Sequence, residues 1–173
     1  MVFFPEIPPK MPRFSIQPAR AEDLPTIGHL ARQIWPVAYA RILSDAQLSY
    51  MLRLFYSPQS LAEQVSHGQQ FFILHAPQPI GFAAIGPAGD GAWKLHKLYV
   101  LPQEQGKGLG RALLHFVLEK AKAQGAASII LQVNRHNPAK DFYTREGFHI
   151  AAEKDFDIGE GFFMNDYVME RPL

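Results

Sequence analysis

The densest group of chemically informative residues is the segment Gln105-Gly106-Lys107-Gly108-Leu109-Gly110-Arg111. It lies between a strand-like run and a helical pattern, so the first amides of the helix have no intrahelical partner and carry partial positive charge. The three glycines let the backbone approach a ligand closely and adopt positive φ angles, and Lys107 and Arg111 add charge. The segment therefore predicts an anion cradle at a helix N-terminus.

Two common nucleotide-binding fingerprints do not fit this segment. A P-loop requires Ser or Thr after its Gly-Lys pair, but Gly108 follows Lys107, and Leu101 stands where the upstream glycine belongs. The dinucleotide-binding pattern requires a third glycine where this chain has Arg111. The cradle therefore belongs to another class of site.

The pattern that does match is Gln-x-x-Gly-x-Gly, as Gln105, Gly108 and Gly110. A second segment, Asn137-Pro138-Ala139-Lys140-Asp141-Phe142-Tyr143 followed by Glu146-Gly147-Phe148, is similar to an Asn-x-x-Ala…Tyr…Gly-Phe stretch. Together these two motifs make the chain, over about residues 14–170, resemble the GCN5-related N-acetyltransferase (GNAT) superfamily. The resemblance implies an α/β (α+β) fold with a central mixed, mostly antiparallel sheet of about six to seven strands, flanked by helices, with one splayed parallel pair.

The same resemblance implies acetyl-CoA as co-substrate. Its pantetheine arm would bond the backbone along one strand, its diphosphate would rest on residues 105–110, and the Leu98 amide would stabilise the oxyanion. The residues expected to contact the co-substrate are Leu98, Tyr99, Val100, Gln105, Gly106, Lys107, Gly108, Leu109, Gly110, Arg111, Asn137 and Tyr143.

Two residues are the expected catalytic groups. By the resemblance, Tyr143 faces the sulfur, and a phenol with a pKa of about 10 can protonate a leaving thiolate whose conjugate acid has a pKa of about 8.5. His96 is the candidate base, because strict strand alternation places it on the face of Leu98 and Val100 and its ordinary pKa of about 6.5 suits neutral pH. Lys94 stands where some relatives carry an acid.

Other sources of the base stay open at this stage. Glu160, Asp157 and the free-base fraction of the acceptor itself are the alternatives to His96.

The expected acceptor is a small-molecule primary amine. Trp35 and Tyr39 follow the first helix, where this superfamily builds its acceptor pocket, and aromatic faces can hold alkylammonium groups. They could equally be core residues. Glu160 is the acidic candidate contact within residues 157–169, a run that looks most like bacterial diamine and polyamine acetyltransferases. From residue 146 onward the chain has seven acids against two basic residues, which suits a cation.

Composition excludes several other classes of protein. The 173-residue chain has no cysteine, which excludes disulfides, thiolate metal sites and a cysteine nucleophile, and its histidines show no metal-ligand spacing. A net charge of +1 gives no support to nucleic-acid binding, and no apolar run predicts a membrane span. We therefore expect a cytoplasmic enzyme without a metal.

The order of the elements follows from periodicity. A proline-rich leader over residues 1–12 is expected to be flexible, before one domain over residues 13–173. A strand at Phe14 and Ile16 precedes a helix that Pro36 should end or kink, and two more helices follow. The later elements are expected at Phe71–His75, Ile80–Ile85, Ala92–Val100, a helix from Leu109, Ser128–Val133, a short helix carrying Phe142 and Tyr143, Phe148–Ile150 and Phe162–Met169.

Three functions are compatible with these residues. The first is direct attack of a small amine, a polyamine among the candidates, on acetyl-CoA in a ternary complex. The alternatives are acetylation of a protein N-terminus or lysine, and a non-catalytic acyl-CoA sensor. Acceptor identity and oligomeric state, with a homodimer among the options, are not determined by the sequence.

Overall fold

One mixed β-sheet organises the molecule. The computed structural model describes residues 13–173, so the leader predicted for residues 1–12 lies outside the described residues. Seven strands stand in the order β1-β2-β3-β4-β5-β7-β6, and of the neighbouring pairs only β4 and β5 run parallel. The strand bounds are β1 Ser15–Pro18, β2 Gln70–His75, β3 Pro79–Gly89, β4 Ala92–Val100, β5 Ser128–Asn134, β6 His149–Gly159 and β7 Phe162–Pro172. The predicted fold class is confirmed.

The parallel pair opens along its length. β4 and β5 are paired from Ala92 and Ser128 up to Leu95 and Leu131, and beyond these residues they separate. On the other side of β4 the register with β3 shifts, so that Leu95 faces Ile85 but Lys97 faces Ala84. His96 is therefore the extra residue of a β-bulge, which interrupts the strict alternation predicted for this strand.

Helices cover the sheet. They are α1 Leu24–Ala38, α2 Asp45–Tyr56, α3 Pro58–Ser66, α4 Leu109–Ala123 and α5 Ala139–Arg145. Ser44 caps α2: its hydroxyl accepts from the Gln47 amide at 3.1 Å. The expectation that Pro36 ends or kinks the first helix is wrong for its end, since α1 runs on to Ala38. Pro36 lies in the last turn, where its missing amide removes only the bond to residue 32.

The last two strands form a hairpin longer than predicted. β6 continues past Ile150 to Gly159. The prediction ended this strand too early because its exposed, polar outer face lacks the apolar pattern that marks a strand in the sequence. The end of this hairpin packs against α2: the Tyr50 hydroxyl donates to the Ile158 carbonyl, and Gln47 Nε2 donates to the Phe163 carbonyl at 2.8 Å. The hairpin thus becomes one wall of the space between α2 and the sheet.

Candidate functional site

The turn between β4 and α4 has the backbone that the glycine motif predicts. Gly106 and Gly108 have φ angles of 80° and 77°, and a Cβ added to either would meet no atom within 4 Å. No side chain caps α4, and its first backbone bond runs from the Ala112 amide to the Gly108 carbonyl. The preceding amides are therefore available to an anion in the open space beside the turn.

Side chains around this turn are held in place by one another. Gln105 Nε2 donates to the Val100 carbonyl at 3.1 Å and so ties the turn to the end of β4. Lys107 pairs with Glu104 at 2.7 Å, and Arg111 pairs with Glu146 at 2.9 Å. Because both cations are at the surface, these ion pairs contribute little stability and can exchange for a phosphate.

A cavity of about 460 Å³ lies beside the opening between β4 and β5. Its apolar and aromatic wall comes mainly from α1, α2 and β4, and includes Trp35, Tyr39, Met51, Phe55, Tyr56 and Tyr99. Its polar lining includes Gln64, Lys94, His96, Lys97, Gln132 and Asp166. An aromatic-walled cavity with a few convergent polar groups is the usual form of a small-molecule site.

The aromatic wall is a connected cluster that includes both predicted acceptor contacts. The ring centroids of Trp35 and Tyr39 are 4.7 Å apart, and Trp35 also contacts Tyr56 at 5.4 Å and Tyr99 at 5.8 Å. The Tyr39 and Tyr99 hydroxyls are 2.9 Å apart. Trp35 is thus both a core residue and a cavity residue, and the Tyr99 side chain also lines the cavity.

His96 lines the cavity, but its ionisation differs from the sequence expectation. Burial, together with the positive charges of Lys94 and Lys97, lowers the pKa of His96 to about 3. The imidazole is therefore neutral throughout the physiological range. Its proposed role as a base stays a prediction, but a pKa near 6.5 cannot be the reason for it.

Lys97 and Asp166 are cavity residues that the sequence did not indicate. Lys97 is 8% exposed, and burial followed by the charge of Lys94 lowers its pKa to about 7. Asp166 is 3% exposed, and burial raises its pKa to about 6 against the opposing effect of Lys94. Alternation placed Lys97 on the face opposite His96, but both residues line the cavity, next to the bulge at His96.

Tyr143 lies next to this cluster without lining the cavity. Its ring packs against Phe142 and Phe148, with centroid distances of 5.2 and 5.6 Å, and Tyr39 is close enough to affect its ionisation. Burial, and secondarily Tyr39, raises the Tyr143 pKa, so the phenol keeps its proton at neutral pH. It can therefore donate a hydrogen bond, although complete proton transfer is more uphill than for a free phenol.

Neither Asn137 nor Glu160, both predicted site residues, lines the cavity. The Asn137 Oδ1 accepts from the Ala139 amide at 2.9 Å, at the start of α5. Glu160 lies at the exposed turn between β6 and β7 with a φ of 52° and does not line the cavity. Contact of Glu160 with an acceptor inside the cavity is thus not supported by its position.

Within residues 13–173, no cluster of three or more His, Cys, Asp or Glu side chains is arranged to hold a metal ion. No helix in the same range combines the length and apolar character needed to cross a membrane.

Comparison with known proteins agrees with this geometry. The family model for the acetyltransferase (GNAT) domain matches residues 40–169. An uncharacterized N-acetyltransferase of Mycobacterium bovis is 30% identical, covering 87% of this chain and 98% of its own. Spermidine N(1)-acetyltransferase of Thermoplasma acidophilum is 29% identical, with coverages of 87% and 91%. The crystal structure of the PaiA N-acetyltransferase from T. acidophilum in complex with coenzyme A has a TM-score of 0.77 at 26% identity, covering 93% and 99%.

The chain belongs to the GNAT acetyltransferase family. It is an N-acetyltransferase, and acetyl-CoA is its acetyl donor. The family, the fold and the donor expected from the two motifs are confirmed.

Proposed function

We propose that this enzyme transfers the acetyl group of acetyl-CoA to a primary amine of a small molecule by direct attack in a ternary complex. The observation that carries the proposal is the separation of β4 from β5. The gap between the two strands has the uncapped amides of α4 on one side and the aromatic cavity on the other. The opening leaves the β4 edge from His96 to Val100 without a strand partner on that side. A thioester arm bonded to this edge would present its carbonyl carbon to an amine in the cavity.

In this mechanism the amine nitrogen attacks the thioester carbon, and the Leu98 amide supports the oxyanion. The C–S bond then breaks, and the sulfur leaves as the thiolate of CoA. Tyr143 donates a hydrogen bond to that sulfur and is the source of its proton. The diphosphate would rest on residues 105–110, with Lys107 and Arg111 as the adjacent cations.

Initial-rate kinetics with an amine panel test this function. With acetyl-CoA and each amine varied together, release of CoA should give intersecting double-reciprocal lines, because both substrates must be bound before transfer. Diamines, amino sugars, amino acids and peptides form the panel. Parallel lines would indicate a covalent acetyl-enzyme, and failure to acetylate any amine while CoA binds would favour the acyl-CoA sensor.

His96 remains the proposed base, with its task defined by its low pKa. Such a weak base removes a proton only once the nitrogen has bonded to the carbonyl carbon and its N–H has become acidic, so the acceptor must enter as the free amine. We expect His96→Gln to lower kcat about tenfold from pH 6 to 9 without changing the shape of the pH profile. The histidine is already unprotonated over this whole range, so its loss removes no titration step.

The matched control for this variant is His29→Gln. His29 lies on α1, where it hydrogen-bonds Gln33 at 2.6 Å on an exposed surface. If His96→Gln abolished an inflection near pH 6.5 in the wild-type profile, the histidine would have an ordinary pKa and a different role.

A polyamine is a candidate acceptor. The spermidine N(1)-acetyltransferase of T. acidophilum is among the relatives, and Asp166 together with the aromatic wall offers contacts for an alkylammonium chain. Acetylation of a protein N-terminus or lysine needs an open groove. The cavity of about 460 Å³ has the size of a small-molecule site, which favours a small acceptor instead.

A further inference from the structure

The cavity contains a buried lysine, Lys97, that forms no ion pair within the described part of the chain. Lys97 Nζ donates to Gln64 Oε1 and lies 5.5 Å from the ring centroids of both Tyr56 and Phe71. None of the ion pairs among residues 13–173 includes Lys97. A buried ammonium without a carboxylate is costly, and the Lys97 pKa is lowered accordingly to about 7. An anionic group on a ligand in the cavity would stabilise the charged form of Lys97.

The surroundings of Lys97 add donors rather than acceptors. The indole N–H of Trp35, also on the cavity wall, is buried and has no hydrogen-bond partner. The indole N–H lies near the Tyr56 hydroxyl and lowers its pKa, although the two groups do not form a hydrogen bond. Burial as the larger effect nevertheless raises the Tyr56 pKa well above its ordinary value, so this phenol too keeps its proton. A ligand group that accepts hydrogen bonds, such as a carboxylate, would satisfy the Trp35 N–H.

A second cavity group has the opposite charge. Asp166 stands on β7 opposite Asn134, at the end of β5 where the parallel pair has separated, and it forms no ion pair among the described residues. Its charge affects Tyr39 and Lys94, which places it near the phenol cluster rather than beside Lys97. Asp166 therefore lies near the opening, with Lys94 close enough to affect its ionisation, and Lys97 lies beside α3, where the exposed Glu63 also lines the cavity.

We propose that the acceptor carries an acidic group as well as its amine, and that Lys97 binds this acidic group while Asp166 receives the amine. This proposal rests on the proposed function and narrows it to amino-acid-like acceptors: amino carboxylates, aminosulfonates or aminophosphonates. A polyamine would place a second positive charge beside Lys97 and offer no acceptor to the Trp35 N–H, so this proposal disfavours the polyamine considered above.

The test compares acceptors that differ only in the acidic group. Each L-amino acid is assayed beside its carboxamide, with taurine, an aminophosphonate and a diamine series as further arms, by release of CoA at pH 7.5. We expect kcat/KM, expressed per concentration of free amine because the carboxamide is the weaker base, to be about 10–100-fold higher for the acid than for its carboxamide, as a charge-assisted hydrogen bond implies. The sulfonate and phosphonate arms identify which acid group is preferred.

Lys97→Met should remove this preference. KM for the acid should rise about 10–100-fold with kcat little changed, while the carboxamide is unaffected. Lys120→Met is the matched control, because Lys120 makes a similar contact with the Phe116 ring at 5.2 Å but does not line this cavity. If Lys97→Met does not fold, a second measurement uses the wild type. An analogue of the acceptor that keeps the acidic group but lacks the amine should inhibit competitively against the acceptor.

Three results would overturn the proposal. The first is equal use of acid and carboxamide by the wild type, and the second is a preference for diamines. The third is a Lys97→Met variant that loses kcat equally for both acceptors, which would make Lys97 a base instead. Failure to acetylate any amine would refute the proposed function itself and is thus distinguishable from these three.

Discussion

Replacing Tyr143 by Phe is expected to lower kcat about 100-fold, at the lower end of the range for loss of a general acid. The change deletes one oxygen and keeps the ring that packs between Phe142 and Phe148. Because the raised pKa keeps the Tyr143 phenol protonated, the activity of the wild type should not fall near neutral pH through deprotonation of Tyr143. Steady-state release of CoA measures kcat, and calorimetry should find the affinity for CoA nearly unchanged.

The control for Tyr143→Phe is Tyr167→Phe. Tyr167 lies on β7 beneath the Lys140 ammonium, which is 5.7 Å from its ring centroid, and it does not line the cavity. Its hydroxyl can be removed without effect on the acceptor or the sulfur, so turnover should stay within a factor of two or so of the wild type. Unchanged turnover in Tyr143→Phe would remove the tyrosine from the mechanism and leave protonation of the thiolate to water.

Gly108→Ala is expected to weaken CoA binding at least about tenfold, equivalent to about 1.4 kcal/mol. Its methyl group would project into the open space beside the turn, where the diphosphate is proposed to lie. The positive φ of 77° also strains any residue with a Cβ, at a cost of about 1–2 kcal/mol. Calorimetric titration with CoA separates the loss of affinity from the loss of stability.

Gly125→Ala provides the comparison that isolates the binding effect. Gly125 follows the other end of the same helix with a φ of 88°, and a Cβ there would also meet nothing within 4 Å. Both variants should lose similar free energy of unfolding, but Gly125→Ala should bind CoA as tightly as the wild type. Equal affinities in the two variants would contradict the placement of the diphosphate on the β4–α4 turn.

The co-substrate side of the site was predictable because its signal is local. Positive φ angles at Gly106 and Gly108 and an uncapped helix start are properties of one short segment, and the sequence pattern encodes them directly. The Asn137 hydrogen bond at the start of α5 is local in the same sense. These features depend little on the rest of the fold, and the family resemblance rests on them.

The acceptor side was less predictable because it depends on long-range packing. The bulge at His96 follows from the register between β3 and β4, which alternation within one strand cannot reveal. The shifted pKa values of His96, Lys97 and Asp166 arise from burial by elements far away in the chain. Glu160 was expected to contact the acceptor because it is an acid in a run that resembles polyamine acetyltransferases, but it lies at an exposed turn outside the cavity.

The hairpin of β6 and β7 has a consequence for how acceptor preference can diversify. Tyr50 and Gln47 hold the hairpin through the main-chain carbonyls of Ile158 and Phe163. A change of the Ile158 or Phe163 side chain therefore leaves the anchoring oxygens in place. Met164, on the same strand, lines the cavity. Natural variation at Met164 can therefore reshape the substrate space while the wall stays anchored, which permits evolutionary drift in specificity without a matching loss of the scaffold.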